Sequence, residues 1–216
     1  LVGTFKTYAP KSENPLMCSL DLMTMTEDNE GNLWFGTDDN GICVLNGNGD
    51  ALVKQYSFDE TNLNSLSNNS IKSIVFLGNY AWIATNGGGL NRLDLKTDSI
   101  KVYTMNEGLS SDALMGILKD GENNLWISST RGLMKFDPNT EKITVYDKSQ
   151  GIQGYEFKYN AQCLLSDGRM MFGGVNGLTV FDPSDIRNSL ITPGVVFTGF
   201  KIYNEVMTPG RKGSPL

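Results

Sequence analysis

Histidine is absent from all 216 residues. That removes the commonest general base, the usual catalytic triads and the imidazole metal ligands, so an enzyme built on this chain would have to rely on carboxylates or a cysteine. No stretch approaches the roughly 18 consecutive apolar residues of a membrane-spanning helix. Basic residues form no run, and the net charge is −6 with a pI near 4.7. A nucleic-acid partner needs a cationic footprint and is not expected. Cysteine is scarce: Cys18, Cys43 and Cys163 fit no metal-binding spacing. Each lies in an apolar, strand-like run, so all three are expected to be buried, unpaired and structural, and to say nothing of the compartment. Proline is also scarce, at 7, against 24 glycines, which favours many tight turns over long helices. There is no signal peptide and the first residue is Leu1, so the chain is expected to be a piece of a longer protein.

With 39% hydrophobic and 19% charged residues the chain has the composition of a folded soluble protein. Its most informative feature is a repeat. Trp34, Trp82, Trp126 and, by position, Met171 recur at intervals of 44 to 48 residues. Each is followed by small residues ("GT", "AT", "SST", "GGV"), then by Gly41, Gly89, Gly132 or Gly177. An alternating run closes each motif: "ICVLN", "LNRLD", "LMKFD" and "LTVFD". The period is that of a four-stranded propeller blade.

Each unit reads as four short strands separated by turn residues, and no segment keeps a helical period. In the third unit these are "ALMGILKD", "LWISST", "LMKFD" and "ITVYD". The tryptophan acts as a wedge between neighbouring blades, the small residues let the sheets approach, and the glycine frees a tight hairpin. The expected fold is therefore all-β, a β-propeller of four-stranded antiparallel blades at about 18–57, 66–104, 109–147 and 152–183. Ahead of them "GTFKTYAP" (residues 3–10) resembles the fourth strand of a preceding blade. An arc of a larger propeller is thus expected rather than a closed four-bladed ring, with two exposed blade faces that favour dimerisation or aggregation. Residues 1–191 are assigned to the repeats. The strand-rich residues 192–216 are an exit strand, opening a following β-sandwich or docking on the last blade.

Three stretches, "EDNEGNLWFGTDDNGICVLN", "DGENNLWISSTRGLMKFDP" and "SDGRMMFGGVNGLTVFDPSDI", resemble the two-component regulator propeller repeats of periplasmic sensors in hybrid two-component systems. The linkers "NEGLSSDALMGIL" and "GIQGYEFKYNAQCLLSDGR" are similar to that family's blade linkers. "PGVVFTGFKIYNEV" is similar to the strand that joins its propeller to an Ig-like triple-tyrosine domain. Lys158 and Met171 depart from the family pattern, which commonly has Asn and an aromatic there. The resemblance implies a piece of a periplasmic sensor ectodomain whose parent is a membrane-anchored histidine kinase. It implies an oligosaccharide ligand, control of genes for glycan breakdown, and a homodimer or the remaining blades as partners. Kinase activity would reside in parts of the parent not present here.

The residues themselves offer few chemical sites. No cofactor and no metal are expected: the acidic turns at 28–30 and 120–122 lack the calcium ligand ladder and lie where hairpins must turn. "GGG" at 87–89 opens no helix, so it is a hairpin and not a phosphate cradle. Regular recurrence makes the tryptophans packing residues, not sugar platforms. Residues that break the repeat are the better candidates. Those in the hairpins between second and third strands are Asp39 (with Asp38 and Asn40), Asn86, Arg131 (with Thr130) and Asn176. Tyr155, Glu156 and Lys158 lie in a linker expected on the same face. Two other readings stay open: a pure interaction scaffold, marked by a broad apolar blade face, and a propeller hydrolase or lyase, marked by clustered carboxylates.

Overall fold

A computed structural model describes residues 18, 19 and 21–186, together with the backbone of 200–202 and 205–207. The first compact unit, Leu1–Asp185, consists of four antiparallel sheets laid down in chain order. Blade one is β1 (Leu22–Glu27), β2 (Leu33–Thr37), β3 (Ile42–Leu45) and β4 (Leu52–Tyr56). Blade two is β5 (Ile71–Leu77), β6 (Tyr80–Thr85), β7 (Leu90–Asp94) and β8 (Ile100–Tyr103). Blade three is β9 (Leu114–Lys119), β10 (Leu125–Ser129), β11 (Gly132–Asp137) and β12 (Lys142–Tyr146). In each, every strand pairs with the next in sequence. Blade four has only β13 (Phe157–Leu164), β14 (Met170–Gly174) and β15 (Gly177–Phe181) among the described residues. A 3-10 turn, Pro183–Asp185, follows β15, and no fourth strand of this blade is found among the described residues. Asp182 fixes this turn by accepting from the backbone and hydroxyl of Ser184. The second unit, Ile186–Leu216, contains a hairpin of β16 (Phe200–Ile202) and β17 (Glu205–Met207). The N-terminal segment 3–10 lies outside the described residues, as does most of 192–216.

The core lies between blades, because a strand's period of two buries alternate residues on opposite faces. In β6, Trp82 and Ala84 pack toward blade three with Leu114, Ile117, Ile127 and Phe136, while Ala81 and Ile83 pack toward blade one with Trp34, Ile42 and Val44. One aromatic arrangement repeats at each junction. Trp34 stacks on Tyr56 of its own blade at 5.5 Å and meets Phe76 of the next edge-on at 5.3 Å. Trp82 likewise stacks on Tyr103 and Trp126 on Tyr146, but their next-blade partners, Phe136 and Phe181, come from third strands and lie tilted. All three indoles are at most 3% exposed, which makes them wedges, as their recurrence suggests.

The two ends of the arc are uncovered. Met25, opposite Phe35 on the face of blade one turned away from Trp34, is 69% exposed. Leu178 and Val180, on the face of blade four turned away from Trp126, are 51% and 43% exposed. The first and last blades do touch at their inner strands, where Asn160 Nδ2 donates to the Met23 carbonyl at 2.9 Å.

The cysteines depart from expectation. Cys18 and Cys43 form a disulfide with Cα atoms 5.9 Å apart. Their 25-residue separation gave no spacing signal, because successive hairpins return β3 to the segment before β1. Closing such a loop removes conformational freedom from the unfolded chain and is worth about 3 kcal/mol. Cys163 is a free thiol and exposed, since it pairs with Met171 on the open face of blade four.

The recurring glycine has a precise steric cause. A Cβ on Gly41 would lie 2.1 Å from the Tyr56 carbonyl oxygen, on Gly89 2.2 Å from that of Tyr103, and on Gly132 2.7 Å from that of Tyr146. In each blade the end of the fourth strand presses on the glycine that opens the third. Gly177 has the same left-handed backbone, φ 109°, but a Cβ there would meet nothing within 4 Å. Gly89→Ala is therefore expected to lower the urea midpoint drastically. Gly177→Ala should lose only the left-handed backbone cost of about 1–2 kcal/mol. Equilibrium urea unfolding of both variants measures the contrast.

Candidate functional site

The hairpins between second and third strands share one face with the linkers between blades, held by backbone hydrogen bonds. Gly41 N donates to Asn69 O, Asn86 N to Ser70 O, Gly89 N to Asp112 O, and Gly132 N to Tyr155 O at 2.7 Å. The linkers are preorganised: Thr104 with Glu107, and Asp147 with Gln150, form reciprocal capping boxes around 3-10 turns. Gly108 and Gly151 end these turns in the left-handed conformation.

This frame places the six candidate residues in separate groups. Arg131 is exposed beside Tyr155, through the Gly132–Tyr155 bond. Tyr155 is half-exposed, with Lys148 Nζ 5.4 Å from its ring centre. Lys158 pairs with Glu156 at 2.5 Å, and Asn176 N donates to Gln153 Oε1 in the same linker. All four residues belong to segments bordering the linker between blades three and four. Asp39 accepts from Ser19 at 2.6 Å on blade one, and Asn86 bridges to Ala113 between blades two and three. The structure does not join Asp39 or Asn86 to the Arg131 group.

A polar junction that sequence reasoning missed lies near the axis. Lys72, only 5% exposed on β5, pairs with Asp38 at 2.5 Å, and Asp38 also accepts from the Ser70 hydroxyl. These hydrogen bonds, that of Lys72 first, hold the Asp38 carboxyl below its ordinary value against the opposing effect of burial. Lys72 Nζ also sits 5.2 Å from the ring centre of Tyr159. Three different blades thus meet around one buried ammonium. Only the folded-back topology brings positions 38, 72 and 159 together, so no local motif marks them.

The opposite face carries carboxylates with structural tasks. Asp28 Oδ2 accepts from Trp34 Nε1 at 2.8 Å, and Asp120 Oδ2 from Trp126 Nε1 at 3.0 Å. Burial works to raise the Asp28 pKa, but bonds from Asn32, Trp34 and the turn amides outweigh it and lower it. The acidic turns are thus turn formers, as expected, and also anchors for the wedge.

At the outer rim a carboxylate of one blade latches the tyrosine of the blade before. Tyr56 donates to Asp98 at 2.9 Å, where Lys54 also pairs, and Tyr103 donates to Glu141 at 2.8 Å, where Lys101 and Arg92 also pair. Burial first, then the adjoining carboxylate, raises both tyrosine pKa values well above the ordinary 10.0. The corresponding position in blade four is Ile186, and Tyr146 gains no such partner there.

The two component regulator propeller profile matches residues 19–39, which run through β1, β2 and the following hairpin. The match covers the first half of blade one. Histidine kinase P4 of Formosa agariphila is 34% identical over 110 residues, 51% of this chain and 8% of that protein. The extracellular domain assigned to a hybrid two component system of B. thetaiotaomicron superposes over 84% of this chain and 23% of its own, with TM-score 0.67 and 22% identity. Streptogramin B lyase superposes over 76% of this chain and 56% of its own, with TM-score 0.54 and 17% identity. The chain thus spans a small part of both the kinase and the ectodomain. The likeness to solved structures establishes a four-bladed β-propeller arrangement that matches part of a larger propeller.

The rim latches make stability pH-dependent with a definite sign. Hydrogen bonding from Lys54 first lowers the Asp98 pKa, and from Lys101 first that of Glu141. A carboxylate with a lowered folded pKa stabilises above its unfolded value, here 3.8 and 4.5, and that contribution disappears as pH falls through the folded value. The double variant Asp98→Asn, Glu141→Gln is expected to be less stable than the parent at pH 7 and to show a smaller further loss between pH 5 and 2. Urea midpoints across that range measure both.

Proposed function

We propose that this chain supplies consecutive blades of the extracytoplasmic sensor domain of a hybrid two-component histidine kinase, and that the sensor recognises an oligosaccharide. The observation that carries the reading is the regulator propeller repeat of blade one within an arc whose two end faces are open. The 34% identity to a histidine kinase and the superposition on a two component extracellular domain support it. A disulfide between Cys18 and Cys43 suits an oxidising compartment outside the cytoplasm, in keeping with a periplasmic location.

On this reading the parent is a membrane-anchored kinase that controls genes for glycan breakdown, and residues 192–216 lead into a following β-sandwich. The open faces receive the remaining blades of the same chain, or a second copy. Ligand must favour one ectodomain arrangement over another for a signal to pass. The ligand surface is the face of hairpins and linkers that carries Arg131, Tyr155, Lys158 and Asn176. Irregular polar loops on a rigid repeated frame are where recognition concentrates. The scaffold reading is favoured by one specific observation, the apolar exposure of Leu178 and Val180. It differs from the first in expecting no small ligand at all.

Calorimetric titration of neutral and acidic oligosaccharides into the 216-residue chain and into the whole ectodomain separates the two. The sensor reading expects saturable binding that weakens at least tenfold in Arg131→Ala or Tyr155→Ala. Binding that neither substitution alters would place the ligand elsewhere. No binding by either protein would favour the scaffold.

A further inference from the structure

The rim latches follow a rule that the sequence carries beyond the described residues. Tyr56 and Tyr103 end the outer strands of blades one and two, and a lysine stands two places before each, Lys54 and Lys101. Both side chains of each pair meet a single carboxylate of the following blade, Asp98 for the first and Glu141 for the second. An ammonium and a hydroxyl on one carboxylate make charge-assisted hydrogen bonds, the strong kind. Blade three lacks both halves. Thr144 stands in place of the lysine before Tyr146, and Ile186 stands in place of the carboxylate. Lysine and acid are thus kept or lost together, as parts of one contact.

One acid in this position has no partner of that kind. The hairpin between β3 and β4 spans the same length as that between β7 and β8, closed by Asn46 N on Ala51 O at 3.0 Å and by Asp94 N on Ser99 O at 2.9 Å. Asp50 stands immediately before the closing residue, as Asp98 does in blade two and Glu141 in blade three. The left-handed residue of the turn is Gly49 in blade one, φ 64°, whereas Asp98 and Glu141 take that conformation themselves. Asp50 is exposed, Asn46 Nδ2 steadies its carboxylate at 2.7 Å, and no lysine, arginine or tyrosine among the described residues meets it. Each of the other latches reaches back to the blade before. By the same direction Asp50 serves the open face of blade one, where Met25 is 69% exposed.

The matching partner is in the same chain. Residues 4–8 read "TFKTY", with Lys6 two places before Tyr8, as in "LVKQY" and "IKVY" of the two latched strands. Tyr8 precedes Leu22 of β1 by 14 residues, as Tyr56 precedes Ile71 of β5 by 15 and Tyr103 precedes Leu114 of β9 by 11. Both latched tyrosines also stack on the tryptophan of their own blade, a ring that blade four lacks, having Met171 there. The segment therefore suits a tryptophan-bearing blade ahead of blade one and not blade four.

We infer that residues 4–8 are the outer strand of a preceding blade that seats on the open face of blade one, with Lys6 and Tyr8 both on Asp50. This rests on the reading of the chain as an arc of a larger propeller, and it is independent of any saccharide.

A zero-length carbodiimide joins a lysine to a carboxylate in direct contact as an amide, with loss of water, and peptide mass spectrometry names the pair. In the whole ectodomain the products Lys54–Asp98 and Lys101–Glu141 report the two latches already described, and Lys6–Asp50 is expected at comparable yield. Asp50→Lys should abolish that product. Combining it with Lys6→Glu should restore a link with the two roles reversed, the reference links staying unchanged throughout. The 216-residue chain holds only this strand of the preceding blade, so there the yield relative to the reference links should fall at least about threefold. Absence of Lys6–Asp50 while both reference links form would overturn the inference and leave the arc reading standing. Equal yield in the 216-residue chain would assign the strand to blade four and count against the arc as well. A link between two copies, seen in a mixture of light and heavy chains, would assign it to a dimer and overturn the preceding-blade seat.

Discussion

Everything in this fold depends on the wedge between blades. A four-stranded antiparallel sheet of this size has two apolar faces and no means of burying both alone. The tryptophan of the second strand solves this by filling the gap between the tyrosine of its own blade and a phenylalanine of the next. Because the gap must close around a large ring, its neighbours along the strand are small: Gly36, Ala84 and Ser128 stand two residues beyond the three tryptophans. The glycine that opens each third strand follows from the same compression, since the carbonyl of the stacked tyrosine sits on it. At Gly177, where the described residues include no fourth strand, no such contact is found although the left-handed backbone conformation persists. The last blade therefore carries the pattern of the repeat without its full set of contacts.

Around this shared wedge the blades differ in how they treat carboxylates. On one face an aspartate anchors the indole in blades one and three, while in blade two Leu77 stands at that register position and the Trp82 donor is buried without an acceptor. At the rim Asp98 and Glu141 tie tyrosines to the following blade, and each is clamped by a lysine. Near the axis a buried Lys72, which Tyr159 faces, pairs with an exposed Asp38. An acidic protein thus uses many of its carboxylates for positioning, and the lowered pKa values of Asp28, Asp38, Asp98 and Glu141 reflect hydrogen bonds within the frame.

Much of the architecture could be read from sequence because its causes are local and periodic. Trp34, Trp82 and Trp126, the glycines and the alternating third strands mark three blades and most of a fourth without any long-range information. What escaped depends on distance in sequence. The Cys18–Cys43 bond joins residues that two hairpins bring together, and Cys163 is exposed because no blade covers its face. Beyond "FDPSDI" the pattern stops in the sequence, and among the described residues blade four has three strands. The Lys72 junction and the orphaned Trp82 donor had no motif. The second could have been noticed as a turn three residues too short between two copies that both carry aspartate.

Hydrogen exchange followed strand by strand tests the open arc most directly. Local stability should track how many faces a blade has covered. The strands packed on both sides, β6, β7 and β10, should exchange slowest, while β14 and β15, and β4 at the other end, should exchange far faster. Equal and high protection of β15 and β10 would mean that the end faces are covered in solution, and would contradict an arc whose first and last blades await neighbours.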